Sequence, residues 1–235
     1  MIGPLSVWSL AATIGLIVVS LPGCETHRSR DAAPFEALLA APPKPGPRCP
    51  GFVARSLSAT LPLRVFLGRG VQAPDAAASL ASMVGYFRMH GVGFELESPI
   101  ERLAQRFLLG AGDVKTALAP LRRFMMRHGQ SNTPKRASIN LVLLERIAAP
   151  DSPAMRYFSE LSGLALSERM RLARDPLFEE LALSFPIRGT LLLSLEDLKH
   201  RRPGTIDLTA AHELGHLLGL GHTTGNDLMT PGDHR

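Results

Sequence analysis

Cysteine is almost missing from these 235 residues, with only Cys24 and Cys49 present. If Cys24 is consumed by a modification near the N-terminus, Cys49 has no partner and a disulfide scaffold is excluded. No glycine-rich phosphate loop occurs, and no internal repeat is visible, so a P-loop nucleotide site and a solenoid are both excluded. No stretch sets Asp or Asn in the liganding order of a calcium loop. The net charge of +5 and pI near 9.8 raise the question of nucleic acid. Yet the basic residues are scattered, with Arg122-Arg123 and Lys199-His200-Arg201-Arg202 as the only tight groups, and no nucleic-acid motif accompanies them. The charge therefore reads as a solvated basic surface, suited to acidic substrates or an anionic membrane surface. Hydrophobic content of 45% and charged content of 20% exclude global disorder, and the length suits one domain with short extras.

No Lys or Arg precedes the apolar run from Leu5 to Leu21, which leads into Leu21-Pro22-Gly23-Cys24. That ending resembles a bacterial lipobox, in which the cysteine is acylated and becomes the mature N-terminus. Residues 1–23 are then a lipoprotein-type signal peptide, Cys24 is the lipidation site, and the chain is an exported lipoprotein of the cell envelope. The alternative is an uncleaved N-terminal membrane helix, since the run is nearly long enough to span. Residues 24–59 read as a Pro-rich tether that can carry a short helix around Phe35 to Ala41, with Pro42-Pro43-Lys44-Pro45-Gly46-Pro47 as a semi-rigid spacer.

Chemistry concentrates at the other end, in His212-Glu-Leu-Gly-His-Leu-Leu-Gly-Leu-Gly-His222, followed by Asp227-Leu-Met-Thr-Pro231. Histidines four apart on a helix share a face, so His212 and His216 can hold one Zn²⁺ with Glu213 near a water on its open side. Gly219 lets the chain leave the helix, and the following turn can return His222 as a third ligand. The stretch resembles the metzincin zinc peptidases, in wording closest to their matrixin-like branch, whose pattern is His-Glu-x-x-His-x-x-Gly-x-x-His with a downstream Met-turn. All five fixed positions match, and Met229 stands where the family has its Met-turn methionine. The resemblance implies an α+β, zincin-like fold. Its mixed, mostly parallel, twisted sheet carries a long backing helix and an active-site helix. It also implies one catalytic zinc ion and a peptide or protein substrate.

The catalytic domain is expected over residues 60–235. Leu61–Leu67 reads as a strand, Pro74-Asp75 opens a helix with Leu80, Val84 and Phe87 on one face, and Val92–Leu96 returns as a strand. Residues 99–135 read as a helical insertion, in which Asp113 caps a segment carrying Val114, Leu118, Leu121 and Met125. Ser138–Ile147 is a central strand. Residues 150–186 form helical pieces that can cover the sheet or act as a lid. Thr190–Leu195 is a strand and, by the resemblance, the sheet edge beside the cleft. Glu196 and Asp197 follow it and can touch substrate or simply face solvent, the second being the plainer reading. Thr205 or Asp207 caps the active-site helix, whose buried side is Leu208, Ala211, Leu214, Gly215 and Leu218. Only six residues follow Met229, so the C-terminal subdomain is expected to be truncated.

The activity this implies is peptide-bond hydrolysis by a zinc-activated water, with Glu213 as general base and then acid. Two alternatives stay open: a catalytically weak, zinc-containing lipoprotein that binds peptides, and an enzyme held latent by Cys49, whose Pro-Arg-Cys resembles a cysteine switch. His27, His90, His128, His200 and His234 read as surface groups, His234 being close enough to the Met-turn to approach the metal. A monomer is expected, acting without nucleic acid.

Overall fold

Ile139-Asn-Leu-Val-Leu-Leu144 and Thr190-Leu-Leu-Leu-Ser194 have almost no polar face, the pattern of strands covered on both sides. In the computed structural model, which describes residues 22–41, 59–97, 99–128, 138–152, 163–166, 189–196, 208–224 and 228–229, both are fully buried strands. They are β4 (Ile139–Leu144) and β6 (Thr190–Ser194) of a six-stranded sheet. Its other strands are β1 (Ala59–Leu67), β2 (Val92–Leu96), β3 (Glu101–Arg102) and β5 (Gly163–Leu166). The order is β2-β1-β4-β6-β5, and β3 pairs with the end of β1. β1 is parallel to β2, β3 and β4, and β4 is parallel to β6, while β5 runs antiparallel to β6. The sheet is thus mixed and mostly parallel, as the sequence predicts.

Side chains alternate across each strand, so the sheet has two buried faces. Val65, Leu141, Leu143 and Leu193 point to one face, and Phe66, Val142, Leu144 and Leu192 to the other. The first face is covered by α1 (Pro22–Ala40), α2 (Ala73–Ser79), α3 (Ala81–Met89) and α5 (Thr209–Leu217). The second is covered by α4 (Val114–His128) through Leu118, Leu121, Phe124 and Met125.

Several expectations change. The backing helix is split at Leu80, where the Ser79 hydroxyl donates to the Ala76 carbonyl at 2.7 Å and competes with the backbone ladder. Leu80, Val84 and Phe87 are nonetheless all buried as predicted. Of the described residues 99–128 only α4 is helical. Glu101–Arg102 adds a strand, and Leu109 bridges Ala148 in the segment before α4. Asp113 does cap α4, accepting the Thr116 N–H at 2.8 Å, and this bond holds its carboxyl below the usual range. Among the described residues, α4 supplies the helical cover of the second sheet face.

β6 is not the sheet edge, since β5 lies outside it. Glu196 does not simply face solvent: it pairs with Arg146, with Nη2 to Oε1 at 2.7 Å. His128 is buried and not a surface group. Its ring packs on Phe66 and Phe124, and burial lowers its pKa against the opposing pull of Glu101.

The start of the expected tether is also part of the fold. Phe35 of α1 is 2% exposed and joins the first core. Arg102 grips Asp31 with two nitrogens at 2.7 and 2.6 Å, and Arg88 donates to the Ala41 carbonyl. The apolar run, the Pro42–Pro47 spacer and Cys49 lie outside the described residues, and Cys24 falls in the first turn of α1. Among the described residues, no helix is long and apolar enough to cross a membrane. Truncating a buried phenylalanine typically costs about 3–5 kcal/mol. Phe35→Ala should therefore lower the stability measured by urea unfolding by about 3 kcal/mol, whereas a tether residue would change it by less than about 0.5 kcal/mol.

Candidate metal centre

The histidine helix is short because its sequence ends it. α5 closes at Leu217, and Gly219 follows with φ +92°, a left-handed conformation that costs a residue with a Cβ about 1–2 kcal/mol. Gly219 N–H then donates to His216 O and Leu220 N–H to Gly215 O, which folds the chain back towards the helix. At the other end the cap position is Leu208, without a side-chain bond, and Thr205 and Asp207 lie outside the described residues. Thr209, Ala210, Ala211, Leu214 and Gly215 are its buried side, and Leu218, expected there, is 46% exposed beyond the last turn.

This turn brings the three predicted histidines together. His216 Nε2 lies 3.1 Å from His212 Nε2 and 3.1 Å from His222 Nε2, and one ligand atom from each ring falls within 4.8 Å of the other two. His212 and His216 are half-buried, while His222 is exposed. Although the residue is exposed, partial desolvation of the His222 ring is the main cause that lowers its pKa. His216 and His212 push the same way, and Glu213 opposes them.

The outer ring nitrogens determine what the inner ones can do. His212 Nδ1 is 2.7 Å from the Leu228 carbonyl, and His216 Nδ1 is 3.0 Å from the Leu220 carbonyl. A carbonyl only accepts, so each Nδ1 must carry the proton. In the neutral rings both Nε2 atoms are then bare lone pairs, and they face each other at 3.1 Å. Two acceptors at that distance repel unless a cation lies between them. The donor set therefore fits a metal ion, with the Leu228 and Leu220 carbonyls orienting two of its ligands in the way outer-shell partners do.

Met229 is buried against the helix, and a Cβ on Gly215 would come 2.5 Å from its Sδ. Thr223 N–H donates to Met229 O at 3.0 Å, tying the segment that holds His222 to this methionine. Glu213 is half-buried one residue after His212. Its stem lies against edge strand β5, where a Cβ on Gly163 would meet Glu213 Cγ at 2.7 Å.

Sequence reasoning found the three rings, Glu213, Gly219 and Met229. It missed the Leu220 and Leu228 carbonyls and the contact between Gly163 and Glu213. The carbonyls belong to backbone whose side chains carry no signal, and Gly163 sits in a stretch without clear periodicity. His200 and His234 lie outside the described residues.

No protein-family model matches the chain, and no curated protein matches it. Among solved structures it is similar to the crystal structure of metalloproteinase-II from Bacteroides fragilis, at 16% identity and a TM-score of 0.41. The alignment covers 83% of this chain but 53% of the other, so this chain spans about half of that protein's length. A likeness this loose leaves the site to rest on its own geometry.

A four-ligand zinc site is worth roughly 10–16 kcal/mol, so one ligand carries about 3 kcal/mol, on the order of 100-fold in affinity. Zinc titration should give one ion per chain, and His216→Ala should weaken binding by about that factor. Because only neutral imidazoles bind a metal, affinity should fall as pH drops through the histidine range and stay flat above it. A second stoichiometric site, or His216→Ala binding as tightly as the parent, would contradict the assignment.

Proposed function

We propose that the protein is a zinc-dependent endopeptidase of the metzincin kind, with zinc held by His212, His216 and His222. The observation that carries this reading is the convergence of two oriented lone pairs and a third imidazole beside a carboxylate. Nitrogens at roughly 2.0–2.1 Å from a tetrahedral ion lie about 3.3 Å apart, close to the 3.1 Å separations here. Three protein nitrogens leave a fourth position open, as catalytic sites do and closed structural sites do not.

Zinc in that position supplies Lewis acidity, lowering the pKa of a water towards about 7 and polarising a carbonyl. The chain's own part is proton handling. Glu213 takes a proton from the attacking water as the new C–O bond forms, and returns it to the leaving amine as the C–N bond breaks. Its stem is packed against β5, which limits how far its carboxylate can sweep through solvent. Met229 holds the floor without touching the chemistry. The apolar run and Cys24 support export and attachment to a membrane, and a peptide or protein substrate follows from the reaction.

Positioned proton transfer is worth about 10²–10⁴-fold. Glu213→Gln should keep one zinc per chain and lose at least about 100-fold in cleavage of a fluorogenic peptide library. Chelation should abolish the parent activity and added zinc restore it. Cleavage by the Gln variant at the parent rate would sink the role given to Glu213.

A further inference from the structure

The chain's positive charge is concentrated in one stretch of the sequence. Between Asp113 and Glu145 there are six Lys or Arg and no Asp or Glu, more than the net charge of +5 of the whole chain. The rest of the sequence is therefore close to neutral. The basic residues that look scattered along the chain are, in charge balance, centred on α4 and the segment after it.

On α4 they share one side. At about 100° per residue, Lys115, Arg122, Arg123, Met126 and Arg127 span an arc of roughly 140°, and the buried residues Leu118, Leu121, Phe124 and Met125 occupy the other. Lys115, Arg123 and Arg127 are exposed. Near the middle of the arc stands Met126, 62% exposed and the most exposed large hydrophobic among the described residues. At the helix N-terminus Asp113 is engaged by the Thr116 N–H, and at the other end Glu101, 3.9 Å from His128, is paired with Arg64. A solvated helix face normally mixes charges of both signs, and this one does not. A flat basic face with a flexible apolar side chain at its centre matches an anionic lipid surface, where each Lys or Arg near the headgroups contributes about 1 kcal/mol.

From this we infer that the outer face of α4 is a docking surface for anionic phospholipid. α4 and α5 cover opposite faces of the sheet, so lipid on α4 leaves the histidine cluster on the far side of the sheet from the bilayer. The inference is independent of whether the cluster binds metal.

The test is flotation of the full chain with phosphatidylcholine vesicles, with and without phosphatidylglycerol. Binding to the neutral vesicles reports the Leu5–Leu21 run, and the ratio of anionic to neutral binding reports α4. The parent ratio should be on the order of 100-fold at low salt and shrink as salt is raised. Lys115→Gln/Arg123→Gln/Arg127→Gln should bring it near one with an unchanged circular dichroism spectrum. If the triple variant loses its fold, Arg123→Gln and Arg127→Gln singly should each reduce the ratio about fivefold. A parent ratio near one, or a ratio that survives these substitutions in folded protein, overturns the proposal. So does displacement from anionic vesicles by short duplex DNA at matched phosphate, which would assign the face to nucleic acid.

Discussion

One nitrogen of His212 and one of His216 are each committed to a carbonyl of the chain that follows the helix, and that commitment decides how the remaining nitrogens present themselves. With the protons pinned at Nδ1, two lone pairs converge, and a site that would be repulsive without a cation becomes a cradle for one. The carbonyls come from Leu220 and Leu228, so the backbone has to turn sharply and return under the helix. Gly219 in its left-handed conformation makes the turn, and Met229 against Gly215 fixes how closely the returning chain approaches. Ligand orientation and backbone path are thus one constraint. A change that straightened the turn would release both carbonyls' rings as well as move His222.

The sheet supplies the other half of that rigidity. β4 and β6 are buried on both faces, so neither layer of helices can be removed without exposing a row of Leu and Val. This is why α4 belongs to the fold. It also explains why α5 is held firmly despite its short length and lack of a side-chain cap: Ala210, Ala211 and Leu214 are sunk in the first core. Helices this short rarely persist by propensity alone, and tertiary packing carries them.

How much of this the sequence disclosed follows from how each feature is encoded. The three histidines are side chains at fixed sequence spacing, and the buried strands are consecutive apolar residues, so both are written in residue identity. Position within the sheet is not. Thr190–Ser194 is as apolar as an inner strand should be, yet the strand that takes the edge from it, Gly163–Leu166, is only four residues long and sits in a mixed stretch. α1 was legible only in its last turns: Pro34 lies inside it and its few apolar residues give it no strong stripe, so Phe35 and the Asp31–Arg102 pair reveal the docking only in three dimensions. The helix break at Leu80 depends on a single hydroxyl, which no periodicity records.

The contact of Gly163 with Glu213 shows how the edge strand and the site depend on each other. β5 is held in register by pairing with β6, Gly163 opposite Leu193, so its backbone cannot retreat without breaking the ladder. Thr209 and Glu213 of α5 approach it from the other side, and a Cβ at position 163 would sit 3.2 Å from Thr209 Cγ2 and 2.7 Å from Glu213 Cγ. Glycine is what allows helix and edge strand to come this close. The same closeness limits the rotamers open to the Glu213 stem, so the residue at 163 sets how near Glu213 stands to the edge of the sheet.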